Sequence, residues 1–147
     1  MQPSHQLYEK DTAAWAQASA NLLREHRFDE LDIEHLIEEL EDMGKSERRA
    51  LESHLVVLLM HLLKWQYQSG LRTTSWKLSI ANARQSIDDT LQDSPSLAPK
   101  FSDAEFIDRA YSKARRLAAI ETGLDVMIFP ERCQYPTGEL QAEWLPA

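Results

Sequence analysis

The sequence predicts an all-α fold: a bundle of four to five helices around one central apolar helix at about residues 45–68, with an irregular C-terminal tail packed on it. Three observations predict it. Apolar residues recur at helical spacing in five segments, and nothing alternates at period two over a useful length. One segment, centred on the run Leu55 to Leu63, is apolar on nearly every side. The glycines (Gly44, Gly70, Gly123 and Gly138) and the prolines interrupt no periodic segment, so they read as the ends of elements.

The first helix is expected roughly from Tyr8 to Glu25. Ala13, Ala14, Trp15, Ala18, Leu22 and Leu23 supply its propensity and its apolar side. The second runs roughly from Asp32, a suitable N-cap, to Met43. Ile33, Leu36, Ile37, Leu40 and Met43 share one face, and Gly44 is read as its end. The third runs from near Ser46 to about Gln68. A helix apolar all round must be surrounded, so this one is the central strut. The fourth runs roughly from Thr74 to Gln92, with Trp76, Ile80, Ile87 and Leu91 on one face. Two prolines make 94–101 a loop. Ser102 with Glu105 forms a capping box for the fifth helix, which Gly123 ends. The tail from Leu124 carries three prolines and a short helix near Gly138 to Trp144.

A chain of 147 residues with 43% apolar content can fill one core, so residues 1–147 are expected to form a single domain. The charge of −8 argues against wholesale binding to nucleic acid or an anionic membrane. Cys133 is the only cysteine, which excludes an intramolecular disulfide and fits a reducing compartment. There is no signal-peptide pattern, and no apolar run reaches the roughly 20 residues of a membrane span. The expected location is the cytoplasm.

Three constellations could carry chemistry. Glu34, Glu38, Glu39, Glu41 and Asp42 could hold a hard cation, but such a run is ordinarily a solvated helix face. Carboxylate-bridged metal bundles also use Glu-x-x-His pairs, and no histidine here follows a glutamate at that spacing; His35 has only Asp32, the cap. No metal or cofactor is therefore expected. His61 interrupts the apolar run. It is either a core histidine bonded to a polar neighbour or an internal acid–base position. His54 lies seven residues away, about 10.5 Å along the helix, too far to share one ion readily.

The third constellation is 53–87, which holds no Asp or Glu but contains Lys64, Arg72, Lys77 and Arg84 among Trp65, Tyr67 and Trp76. It reads as buried structure, as a phosphate or nucleic-acid surface across 64–84, or as the complement to the acidic face of a second copy. Cys133 lacks any motif of a nucleophile, and glycine-rich phosphate loops and zinc-finger spacings are absent.

The segments YEKD, RFDELDIEHLIEELEDMGKSERRALESHL, VLLMHLLKWQYQ and ETGL with FPERCQY together resemble a bacterial family, domain of unknown function twenty-nine. The resemblance spans nearly the whole chain. One departure is local: the family pattern follows Cys directly with Pro and Tyr, whereas Cys133 precedes Gln134, Tyr135 and Pro136. The resemblance implies an all-helical bacterial protein and brings no activity or catalytic residues. It places His61, Lys64, Trp65 and Tyr67 inside the block that marks the family. The leading functional expectation is a non-enzymatic protein-interaction module that self-associates. One alternative is an enzyme or metal binder using His61 with carboxylates of the second helix. Another is phosphate or nucleic-acid binding through 64–84. The candidate site residues are His61, Lys64, Trp65, Tyr67 and Arg72, with no catalytic or metal residues assigned.

Overall fold

The computed structural model describes residues 3–147. They are all-α, with no strand among the described residues. None of their helices is long and apolar enough to cross a membrane. The chain divides into two compact units, one ending at Ser46 and one starting at Glu47.

The first unit contains α1 (Pro3–Lys10), α2 (Thr12–Arg24), a 3-10 turn (Phe28–Glu30) and the start of α3 (Ile33–Tyr67). The single helix expected from Tyr8 to Glu25 is two helices. Asp11 separates them: its backbone is extended and its side chain accepts from the Ala14 N–H at 3.0 Å, capping α2. Past α2, His26 takes the left-handed conformation at φ 58°. The His26 N–H then donates to Leu23 O and the Arg27 N–H to Leu22 O, a Schellman closure without glycine.

Helices two and three of the sequence reading are one helix. α3 runs unbroken from Ile33 to Tyr67, through Gly44. A glycine inside a helix costs about 1 kcal/mol relative to alanine, which good helix formers on both sides outweigh. The apolar face of its first turns is not buried: Ile33, Ile37, Leu40 and Met43 are 50–65% exposed.

The second unit holds the rest of α3 with α4 (Thr74–Asp93), α5 (Ala104–Thr122) and the one-turn α6 (Thr137–Leu140). The apolar stretch of α3 lies at its centre, as its composition requires. Leu51, Leu55, Leu58, Leu59 and Leu62 are wholly buried. Ala110, Ala114 and Ala118 of α5 are also wholly buried, a row of small side chains spaced by four on one helix face.

Asp103, not Ser102, caps α5. Its Oδ1 accepts from the Glu105 and Phe106 N–H groups, while Ser102 ends a 3-10 segment (Pro95–Ser102) where a loop was expected. Gly123 closes α5 at φ 72°, as expected. The final helix is shorter than expected. Its place is held by Arg84, whose buried guanidinium donates to Leu140 O at 3.1 Å and Glu139 O at 3.2 Å.

Candidate functional site

Three of the four cations of the basic–aromatic segment chosen from the sequence make polar contacts within the chain. Lys64 Nζ lies 2.7 Å from Glu121 Oε2 and over the Trp76 ring at 4.8 Å. That ammonium donor holds the Glu121 carboxyl below its ordinary value. Arg72 Nε donates to Trp65 O at 2.8 Å, and its guanidinium covers the Trp65 ring at 4.7 Å. Lys77 sits over the other part of the same system, 5.7 Å from the Trp65 ring centre. Burial pushes the Arg84 guanidinium below its ordinary value, and its donors face backbone carbonyls. These cations fasten the α3–α4 corner and the tail. Arg72 Nη2 is buried and meets no acceptor among the described residues, and Lys77 is exposed.

His61 is similarly occupied. Its Nδ1 lies 2.9 Å from Val57 O, one turn back on the same helix. Tyr67 packs edge-on to Phe129, with ring centres 5.2 Å apart. It borders a cavity of about 270 Å³ with Gln66, Tyr111, Pro130, Tyr135 and Trp144. Two of the three phenols there are engaged. Tyr111 donates to Pro130 O at 2.5 Å, and Tyr135 to Gln66 Oε1 at 2.7 Å. Burial pushes the Tyr111 phenol up to about 12 and the Tyr135 phenol upward as well. Neither phenol is poised to exchange a proton near neutrality. The Cys133 thiol, on the far side of Tyr135, is also pushed up by burial, the reverse of what a nucleophile needs.

A strongly charged recess lies elsewhere. A groove of about 920 Å³ is edged by Arg48, Arg49, Lys100, Arg109, Lys113 and Arg116. Glu52 is the sole acid lining it. It takes Lys113 Nζ at 3.1 Å and Arg109 Nε at 3.9 Å. Arg48, Arg49 and Arg116 form no ion pair among the described residues. Val56, Val57, Phe106 and Leu117 supply apolar surface between the charges. An acidic ligand with apolar side chains matches this lining.

None of the five candidate residues borders the groove. Its sequence signal was nevertheless present. Arg109, Lys113 and Arg116 are spaced i, i+4, i+7, which puts three cations on one face of α5. Arg48 and Arg49 supply the opposing pair from α3.

The family model described as domain of unknown function DUF29 matches residues 7–145 of the chain. No curated protein and no solved structure matches it.

Proposed function

Because the chain belongs to the DUF29 family, whose description assigns no activity, we propose from its geometry that it is a non-catalytic protein-interaction module that self-associates. The observation carrying this reading is the basic, apolar-lined groove in a chain of net charge −8. The chain also has a surface that complements the groove. Ile33, Ile37 and Leu40 form an exposed stripe on the first turns of α3, edged by exposed Glu34, Glu38 and Glu41. The stripe of one copy supplies the acids and apolar side chains that the groove of another would take. Seating the stripe of one copy in the groove of another associates copies of the chain. Opposite potentials speed encounter and fix register, while the apolar contacts supply burial.

Sedimentation velocity over a wide concentration range tests the reading. At low salt the expected result is a monomer–dimer equilibrium, weakened at about 0.5 M NaCl by charge screening. Two charge-reversal variants, Arg109→Glu with Arg116→Glu and Glu38→Lys with Glu41→Lys, should each be monomeric. Mixing the two restores association, because each keeps one intact surface complementary to its partner. A strict monomer at every concentration, or a dimer indifferent to both reversals, overturns the proposal.

A further inference from the structure

Three side chains of the first unit converge on one point, and none belongs to the groove or to the stripe. His5 stands on α1, His35 on α3, and Asp32 immediately before α3. Asp32 is 2% exposed. Its Oδ1 accepts from the His35 N–H at 3.3 Å, which is the capping bond anticipated for this residue. Its Oδ2 faces two imidazoles, His35 Nδ1 at 2.5 Å and His5 Nδ1 at 3.1 Å. One nitrogen from each imidazole and one carboxylate oxygen all lie within 4.8 Å of one another.

The surroundings hold this set in place. The Tyr8 ring stacks on His35, with centres 3.8 Å apart and planes 18° apart, and Trp15 meets both rings edge-on. Tyr8 is fixed in turn by donating to Glu39 Oε1 at 2.6 Å. The opposite nitrogen of His35, Nε2, lies 3.9 Å from Glu9 Oε1. Trp15 Nε1 is buried and meets no acceptor among the described residues.

We propose that His5, Asp32 and His35 form a binding site for a late first-row divalent ion, with zinc as the reference. Two imidazoles and one carboxylate suit zinc and its neighbours, whereas magnesium and calcium prefer all-oxygen sets. Bonds of about 2.0–2.2 Å in tetrahedral geometry place ligand atoms about 3.4 Å apart. The ligand atoms here lie within 4.8 Å of one another, with Asp32 Oδ2 and His35 Nδ1 2.5 Å apart, so binding requires these side chains to shift to that spacing. Three protein ligands leave an open position on the ion for water or an anion. The ion would tie α1 to the start of α3 and replace the direct contacts between Asp32 and the two imidazoles.

The test uses the full chain, stripped with chelator and titrated with zinc, then with cobalt as a visible-absorbing probe. The expected result is one ion per chain, tetrahedral cobalt absorption and a higher melting temperature with metal. His5→Ala should weaken binding at least tenfold. Asp32→Asn retains capping ability, so combined with His5→Ala it should abolish binding while circular dichroism stays helical. Controls His54→Ala and Arg109→Glu with Arg116→Glu should bind as the wild type does, which separates this site from the groove. Absence of saturable one-to-one binding by the folded wild type overturns the proposal. So does binding that survives the His5→Ala, Asp32→Asn pair.

Discussion

Two side chains show how local conformation and burial set measurable quantities. His26 closes α2 in the left-handed region, where a Cβ meets steric cost. His26→Gly removes that cost and should raise stability by about 0.5–1 kcal/mol, read from the urea midpoint. Tyr111 carries a phenol raised to about 12 by burial. An unfolded tyrosine titrates near about 10, so the folded state favours the neutral phenol. Its stabilising contribution is full below pH of about 10 and is lost as pH rises toward 12. The part of the tyrosinate absorbance that Tyr111→Phe removes should therefore appear together with loss of helical signal, not before it. Tyr111→Phe should flatten that alkaline decline, at a cost at neutral pH because Pro130 O loses its donor. The sequence identified many of the residues that matter here but not their partners. Lys64 and Arg72 were conspicuous as cations among aromatics, yet their partners Glu121 and Trp65 O are set by three-dimensional packing and by a backbone atom. Asp32 was legible as a cap because capping is local, whereas His5 reaches it from 27 positions away.

At the scale of elements, periodicity located α4, α5 and both ends of α3 well and misjudged the middle of α3. Gly44 was read as a stop, but a glycine ends a helix only where the chain needs a left-handed residue, as at Gly123. No positive φ occurs at Gly44, and nothing lies within 4 Å of where a Cβ would stand. Gly44→Ala should therefore stabilise α3 by about 0.5–1 kcal/mol, a rise of about 2–4 °C in melting temperature. A helix that stopped at residue 44 would instead be harmed. Asp11 gave the opposite error, since a capping residue inside an alanine-rich stretch starts a new helix without any glycine or proline to announce it. The exposed stripe Ile33–Ile37–Leu40 carries the period of a buried face. Periodicity reports that a face is apolar and cannot say whether the chain itself covers it.

Across the whole molecule, the sequence expected one domain around the apolar helix, and the described residues group as two compact units. The second is built on the leucines of α3. Leu59→Ala should cost about 2–5 kcal/mol, because its site is fully enclosed and the cavity can relax only in part. That is a large share of the roughly 5–15 kcal/mol available to a domain, and the urea midpoint should drop accordingly. The basic groove was invisible at this scale because its cations come from 48–49, 100 and 109–116, and a net charge of −8 conceals a local surplus of the other sign. Cys133 gives the molecule a clock. It is the only thiol, half-buried, its Sγ 3.8 Å from Tyr135 O, and burial holds it protonated. A maleimide or disulfide reagent can modify it quickly only when the surrounding tail lifts away. Its labelling rate therefore times the opening of residues 129–140, with no engineered reporter and no second site to confuse the signal.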